Sequence, residues 1–382
     1  MALLTVAGTV NLTRVPSAGA APGDETTRTA LGDLSDRAAR TPQRSSGAPD
    51  YLYAVRPTAM AHDVPGSEIT FTAAEDAASY LWTEGLEISA VDQLGLGDNI
   101  GNTARIRCDG PGLIDTGVRG SYWATNMVPP TETALTPVLR WLFIAPQDGD
   151  YTCRISMASY STIIKDGREV SMRLAAGARL TRAVYANAAR WGLYGGANEL
   201  VKAGQTKVTL RSTFLPTVAA ADQIVVVQDA ALTTCKANSS IKGCAGGVSR
   251  NPGTTVRSWI EAQPKHADGS DCGRSWRGEQ RQQTFSSAKH HAHSTSLIRF
   301  AESKLAGCAG VRLSLSLQHV SGNPFVLHRT FFEGIVGSHG VALEMTPEQL
   351  RVHDHAGGDG AIAGLIDENE STGRAVAPVL VG

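Results

Sequence analysis

Histidine is the residue type whose spacing most suggests chemistry. All but one of the ten histidines lie after residue 236, and five of them fall in the motifs "HHAH" and "HDH". In a strand, residues i and i+2 face the same way, so each motif could offer two imidazoles to one metal ion. Solvated histidines on loops produce the same pattern. We favour this interpretation, in which the protein binds no cofactor. The candidate metal ligands are His291, His293, His353 and His355.

Known catalytic motifs are absent from the sequence. It contains no G-x-S-x-G elbow, no H-E-x-x-H and no phosphate-binding loop. Glycoside hydrolysis would need two carboxylates at a defined separation, which sequence spacing cannot supply. The sequence therefore favours a non-catalytic protein over an enzyme, with a hydrolase as the alternative. The acids considered for that role are Glu84, Glu87, Asp92, Asp98 and Asp109.

Aromatic side chains offer a second kind of chemistry, because β-sandwich modules bind sugars through exposed rings. Tyr122 and Trp123 are adjacent in a strand-like run, so they face opposite ways and one of them could be exposed. Trp141 has apolar neighbours and is assigned to the core. The candidate ligand-binding residues are Tyr122, Trp123, Trp191 and Tyr194.

Six cysteines indicate a disulfide framework. The count is even, and no C-x-x-C occurs, which disfavours a zinc or thioredoxin-like site. We predict that neighbours in sequence pair, although six cysteines allow 15 pairings. The alternative is six buried thiols in a cytosolic protein. The predicted bridges are Cys108–Cys153, Cys235–Cys244 and Cys272–Cys308.

The first 49 residues resemble an export leader. Residues 1–20 begin with a short apolar run and end in "AGA", like a signal-peptide cleavage site, but they lack a positive n-region. We interpret them as a truncated signal peptide and residues 21–49, rich in polar residues, Gly and Pro, as a disordered leader. Together with the cysteines this predicts a secreted protein, and its Ala, Gly and Arg usage is typical of bacteria with GC-rich genomes.

Beyond the leader, short alternating runs recur between turn signals, as in "SEITFTA", "YTCRISMASYS", "QIVVVQD" and "VRLSLSLQHVS". Such a pattern predicts an all-β protein of two antiparallel β-sandwich domains in tandem, jelly-roll or immunoglobulin-like. We place the first domain at 50–235, a linker at 236–255, the second domain at 256–360 and a C-terminal tail at 361–382.

Two stretches resemble each other weakly. "TPVLRWLFIAPQDGDYTCRISMASYS" and "TSLIRFAESKLAGCAGVRLSLSLQHVS" each place an apolar run, a turn, a cysteine and an alternating run in that order. The pattern of the first stretch predicts a hairpin, with Cys153 on the same apolar face as Tyr151, Ile155 and Met157. The likeness predicts two related sandwiches, each with one bridge between strands.

Three functions fit these observations. We favour a secreted, non-catalytic β-sandwich protein that binds a polysaccharide, the cell wall or a partner protein. The alternatives are an extracellular hydrolase, with or without a bound metal, and a self-assembling surface or particle protein. The net charge of −1 argues against nucleic acid as a partner, and no apolar run is long enough to predict a transmembrane segment.

Overall fold

The alternating runs of the sequence form strands, as a computed structural model of the chain shows. This structure describes residues 42–56, 61–92, 98–113, 121–128, 133–163, 169–185, 187–193, 198–216, 223–235, 244, 253–286, 289, 291–329, 337–347 and 349–350. All of them belong to one compact unit. The predicted all-β class is confirmed, and every pairing between the strands named below is antiparallel.

The first thirteen strands make three sheets. Sheet I has the order β1-β13-β5-β10; sheet II has the order β3-β11-β7-β8, with β4 also on β11; sheet III has the order β2-β12-β6-β9. The strands are β1 (Gln43–Arg44), β2 (Tyr51–Ala54), β3 (His62–Asp63), β4 (Ile69–Ala73), β5 (Ala78–Glu84), β6 (Ile88–Ala90), β7 (Asn99–Asp109), β8 (Tyr122–Met127), β9 (Ala134–Leu135), β10 (Arg140–Ile144), β11 (Gly149–Ile163), β12 (Ser171–Leu174) and β13 (Arg179–Ala183).

The remaining strands make two larger sheets. Sheet IV has the order β14-β24-β17-β23-β15, with β21 on the other edge of β17, and sheet V has the order β16-β22-β18-β19, with β20 also on β18. The elements are β14 (Ala188–Gly192), β15 (Glu199–Val201), β16 (Thr206–Phe214), β17 (Gln223–Thr234), β18 (Thr254–Lys265), β19 (Trp276–Arg277), β20 (Arg281–Phe285), β21 (His291–Ala301), a 3₁₀ helix η1 (Glu302–Leu305), β22 (Gly310–Gly322), β23 (Phe325–Leu327) and β24 (His339–Met345).

Period-two alternation decides which side chains enter the cores. In β11, Tyr151, Cys153, Ile155 and Met157 are all buried on one face, as the sequence predicts. They pack with the other sheet I, II and III residues in the core of the first sandwich. Sheets IV and V enclose a separate core, the core of the second sandwich.

A third apolar layer, here called the junction, joins the two sandwiches. Tyr80, Trp82 and Leu142 on the outer face of sheet I pack against Val225 and Val227 of sheet IV. Strand β17 is thus buried on both faces, because Ile224 and Val226 enter the second core. A continuous apolar run such as "IVVV" is typical of a strand covered on both sides.

The predicted domain boundary is wrong. Strands β14 to β17 lie before the expected linker 236–255, yet β14 and β17 pair with β24 and β17 also pairs with β21. The sheets change instead between β13 and β14. Apart from Cys244, residues 236–252 lie outside the described residues.

The predicted disordered leader is also too long. Strand β1 pairs with β13, and the Ala48 amide donates to the Ala178 carbonyl. Ser45 and Ala48 are buried. Residues 42–49 therefore form part of the first sandwich, because the backbone of β13 offers them hydrogen-bond partners that their composition does not reveal. The proposed signal peptide at 1–20 and the tail at 361–382 lie outside the described residues.

The predicted hairpin at Phe143 to Ser161 is not a hairpin. Strand β10 belongs to sheet I and pairs with β5, whereas β11 belongs to sheet II and pairs with β3, β4 and β7. The turn between them carries the chain across the first core. Period two identifies both strands, but it carries no information on which strand each one pairs with.

Three disulfides join the cysteines that nearest-neighbour pairing predicts: Cys108–Cys153, Cys235–Cys244 and Cys272–Cys308. Cys108 and Cys153 are directly opposite in β7 and β11, in the first core. Three bridges are consistent with a protein of an oxidising, extracellular environment. Within the described residues, no helix is long and apolar enough to cross a membrane.

Candidate functional site

The junction becomes polar at one end, where it holds a buried ion pair. Arg140 Nη1 lies 3.3 Å from Asp229 Oδ1, and both side chains are 4% exposed. Strand register places Thr295 of β21 directly opposite Asp229 of β17, and its hydroxyl donates to Asp229 Oδ1 at 2.5 Å. Although burial alone would raise the pKa of Asp229, Arg140 and the neighbouring groups hold it below its usual value.

His339 completes this cluster from β24. Its Nε2 donates to the Arg140 carbonyl at 2.9 Å and lies 3.7 Å from Asp229 Oδ2. A carbonyl can only accept, so the proton of the neutral ring is on Nε2. Burial lowers the pKa of His339, so the ring stays neutral beside the charged pair. Arg140 and His339 thereby link sheet I to sheet IV.

The predicted metal ligands His291 and His293 also line the polar end of the junction. They lie on one face of β21, as the spacing predicts, opposite Thr233 and Ala231 of β17. His291 Nδ1 is 2.7 Å from the Thr233 hydroxyl, which also bonds His328 Nε2. Burial lowers the pKa of His293 to about 4 and that of His328 to about 4.

These histidines bond to protein groups rather than converge on one point. Across the described part of the chain, no group of three or more His, Cys, Asp or Glu side chains is arranged to hold a metal ion. His353 and His355, the other predicted ligands, lie outside the described residues. His291 and His328 instead join β21, β17 and the segment after β23 through the Thr233 hydroxyl, whereas the buried Nε2 of His293 has no hydrogen-bond partner among the described residues.

The predicted sugar-binding aromatics are distributed over different environments. Trp123 faces the first core and lies 6.5 Å, centroid to centroid, from His293 at the junction. Tyr122 faces the opposite side of β8, near Arg105 and Tyr160, and burial raises its pKa. The prediction that the two face opposite ways is therefore correct, but Trp123 packs within the fold and both rings are only partly exposed.

Trp191 is not a surface residue, contrary to the sequence-based expectation. It is buried in the second core, and its indole N–H donates to the Leu210 carbonyl at 2.9 Å. Gly340 lies opposite it in β24, where any Cβ would collide with the indole ring. The small residue across the strand pair therefore makes room for the ring inside the core. Tyr194 lies outside the described residues.

The acids considered for hydrolysis are also dispersed. Asp109 on sheet II pairs with Arg154 and Arg107, and Glu84 on sheet I pairs with Arg44. The Asp92 carboxylate accepts a hydrogen bond from the Ser171 amide. Each of these carboxylates is engaged locally, on three different sheets.

An open cleft lies beside sheet V. Its volume is about 750 Å³. Strands β18 and β19, the loop before β19 and helix η1 form its walls. Its lining residues are Glu261, Arg274, Ser275, Trp276, Arg277 and Lys304.

Trp276 supplies the apolar surface of the cleft. The ring is half-buried against the second core and meets Phe300 edge to face at 5.1 Å between centroids. The Lys304 ammonium lies over the same ring, 5.8 Å from its centroid, at the outer limit of a cation–π contact. The indole is thus held firmly by Phe300, while the lysine above it is exposed and free to reorient.

Arg277 is fixed more rigidly than Lys304. Its guanidinium lies over the Trp259 ring at 4.9 Å and bonds Glu261 Oε1 at 3.0 Å. The Trp259 indole N–H also donates to Glu261 Oε1 at 3.0 Å. Glu261 therefore has two partners of its own, and it holds the arginine at the wall of the cleft.

A disulfide connects the two walls. Cys272 lies two residues before Arg274, and Cys308 lies four residues after Lys304. The turn that follows β18 is ordered further by Lys265, which pairs with Asp271. The bridge therefore fixes the loop that carries Arg274 relative to the helix η1 that carries Lys304.

Sequence reasoning did not single out this cleft. Trp276 stands between Arg274 and Arg277 in the polar stretch "CGRSWRGEQR", without the apolar neighbours that indicate a core tryptophan. That isolation, next to a half-cystine, is the signal that would have identified it. Lys304 and Glu261 come from distant positions, which only the folded sheet brings together.

No protein-family model and no curated protein matches the chain. Among solved structures, the CBM22 tandem domain of Paenibacillus barcinonensis Xyn10C is 8% identical, covering 78% of this chain and 99% of that one, with a TM-score of 0.22. PNGase F, a glycosylasparaginase from Flavobacterium meningosepticum, is 11% identical over 77% of this chain and 96% of its own, with a TM-score of 0.33. The viral particle of infectious bursal disease virus is 8% identical, covering 80% of this chain and 74% of that one, with a TM-score of 0.24. Likeness this low supports no conclusion about a ligand or an activity.

Proposed function

We propose that this chain is an exported, non-catalytic protein that binds an extracellular glycan in the cleft around Trp276. The observation that carries the proposal is the composition of that cleft: one firmly held indole surrounded by exposed polar and charged side chains. The apolar face of a sugar ring packs on an aromatic ring, while its hydroxyls need polar partners at the rim. A volume of about 750 Å³ accommodates a short oligosaccharide segment.

Binding fits the cleft better than hydrolysis does. Glycoside hydrolysis by the common routes needs two carboxyl groups that flank the scissile bond. Glu261 is the single carboxylate among the described lining residues, and it is already bonded to Arg277 and to the Trp259 indole. A carboxylate held in this way positions a neighbour rather than transferring a proton.

Export is supported by the three disulfides and by the signal-like residues 1–20. Bridges persist in oxidising environments and are rare in the cytosol. The Cys272–Cys308 bridge, which ties the cleft walls, would be reduced inside most cells. The proposed site therefore fits a protein that works outside the cytosol.

The test is a binding screen of the full chain against soluble polysaccharides by affinity electrophoresis and calorimetry. We expect at least one glycan to bind, Trp276→Ala to abolish the binding and Trp276→Phe to retain part of it. Val208→Ala serves as the control, because Val208 is exposed on β16 of the same sheet but outside the cleft. No binding to any glycan, or equal binding by Trp276→Ala and the parent, would contradict the proposal.

A further inference from the structure

The charges that line the cleft are unbalanced. Arg274, Arg277 and Lys304 face one carboxylate, Glu261. The chain as a whole carries a net charge of −1, so the excess of cations is a local feature and not a consequence of a basic protein. A concave site with one sign of charge attracts ligands of the opposite sign.

Glu261 does not cancel the two remaining cations. Glu261 Oε1 lies 3.0 Å from the Arg277 guanidinium and accepts the Trp259 indole N–H. The negative charge of Glu261 therefore balances the positive charge of Arg277. Within the residues that the structure describes, neither Arg274 nor Lys304 forms an ion pair. Elsewhere in the molecule long cationic side chains pair with carboxylates, as Arg173 does with Asp50 and Lys207 with Glu199.

The two unpaired cations are placed around the stacking surface. The Lys304 ammonium lies above the Trp276 ring, where a stacked sugar would carry its ring substituents. Arg274 also lines the cleft, two residues before the tryptophan in the chain. An arginine fork binds a carboxylate or a sulfate with two parallel hydrogen bonds, and a lysine adds a mobile point charge.

The Cys272–Cys308 bridge holds these walls at a fixed separation, which lowers the ordering cost of binding. Resting on the glycan-binding function above, we propose that the ligand of this cleft is an acidic polysaccharide. Its sugar stacks on Trp276, and its carboxylate or sulfate pairs with Arg274 and Lys304. Either anionic group satisfies the same two cations.

Matched polymers test the charge of the ligand separately from its sugar. Calorimetry with the full chain compares polygalacturonate with its methyl-esterified form, and dextran sulfate with dextran. We expect each acidic polymer to bind at least about tenfold more tightly than its neutral partner, because a charge-assisted contact contributes about that factor. Which acidic polymer binds best distinguishes a carboxylate ligand from a sulfate ligand. Affinity should fall as salt rises.

Variants then locate the charge preference. The double variant Arg274→Gln, Lys304→Gln should bring the ratio of the affinities for the acidic and the neutral polymer close to one. The control is Lys202→Gln, which changes an exposed lysine outside the cleft and should leave that ratio as it is in the parent. Equal binding of acidic and neutral polymers, still dependent on Trp276, would overturn the acidic ligand and leave glycan binding intact. No binding to any polymer would overturn both. Equal binding of DNA and acidic glycans, independent of Trp276, would show simple ion exchange and overturn the inference.

Discussion

The successive strands β10 and β11 of the first sandwich follow the same course as β21 and β22 of the second, but they carry different cross-links. In each case the first strand lies in a sheet that contributes apolar side chains to the junction, and the second lies in another sheet of the same sandwich. Cys153 is fully buried within β11, whereas Cys308 is half-buried in the turn before β22. One bridge therefore lies inside a core, and the other joins the walls of a surface cleft.

This difference corrects the expectation that the repeat carries equivalent bridges. The sequence likeness does reflect a shared crossing from one sheet to the other. The partners differ, however: Cys153 bonds Cys108 in the neighbouring strand, and Cys308 bonds Cys272 in a polar loop. The same topology can place a disulfide inside a core in one sandwich and across the walls of a surface cleft in the other.

The largest expected effect comes from removing the buried bridge. Cys108→Ser with Cys153→Ser should lower the free energy of unfolding by about 4 kcal/mol through loop entropy, for a sequence separation of 45. Each of the two hydroxyls placed on an apolar face adds about 1–3 kcal/mol if it is unpaired. Urea unfolding with and without reductant measures this, and the reduced parent should approach the oxidised variant. An unchanged unfolding midpoint would mean that the bridge contributes nothing to the first core.

The junction should be the next most sensitive region. Asp229→Ala leaves the Arg140 guanidinium buried without its counter-charge, which costs about 3–5 kcal/mol. Asp271→Ala is the control, because that carboxylate is exposed in its pair with Lys265 and should contribute less than about 1 kcal/mol. Equal losses in the two variants would show that the buried pair does not hold the sandwiches together.

Acid should loosen the junction before it affects either core. His293 and His328 have pKa values lowered to about 4, below the value of about 6.5 in an unfolded chain. The unfolded state therefore binds more protons, so stability is complete above about pH 6.5 and falls towards pH 4. The slope is at most about 1.4 kcal/mol per pH unit for each histidine.

Unfolding curves at several pH values check this slope. His328→Gln keeps a hydrogen-bonding side chain beside Thr233 but cannot titrate, so it should flatten the profile by about one proton. A parent whose stability does not depend on pH between about 4 and 6.5 would contradict the burial of these neutral histidines.

Sequence reasoning identifies the strands well because their signal is local. The alternation in "YTCRISMASYS" and the turn residues before it define β11 without any knowledge of its partners. Pairing is not local, and so the boundary at 236–255 was placed inside one sandwich. The apolar run Ile224 to Val227, buried on both faces, was the available sign that β17 is a central layer.

The cleft could be predicted only in part. Trp276 and its flanking arginines stand out in the sequence, but Glu261 and Lys304 reach them through the register of β18 and the crossing from β21 to β22. The i and i+2 geometry of the histidine motif is as predicted, but the metal site stays a prediction. His291 bonds the Thr233 hydroxyl, His353 and His355 lie outside the described residues, and the described part of the chain holds no group of three metal-ligating side chains.

The smallest expected effect is a change of affinity rather than of stability, because loop entropy makes the Cys272–Cys308 bridge, with a sequence separation of 36, contribute about as much to stability as the buried bridge. Cys272→Ser with Cys308→Ser removes the tie between the loop of Arg274 and the helix η1 of Lys304. Both half-cystines are only partly buried, so no apolar face receives the new hydroxyls. At a temperature where the variant is folded, its affinity for the best-bound acidic glycan should fall about tenfold, because the walls must now be ordered on binding.

The Cys108→Ser, Cys153→Ser variant, compared under the same conditions, should bind as the parent does although it is less stable. If the two variants lost affinity equally, the loss would reflect general destabilisation, and the Cys272–Cys308 bridge would have no separate role in the cleft.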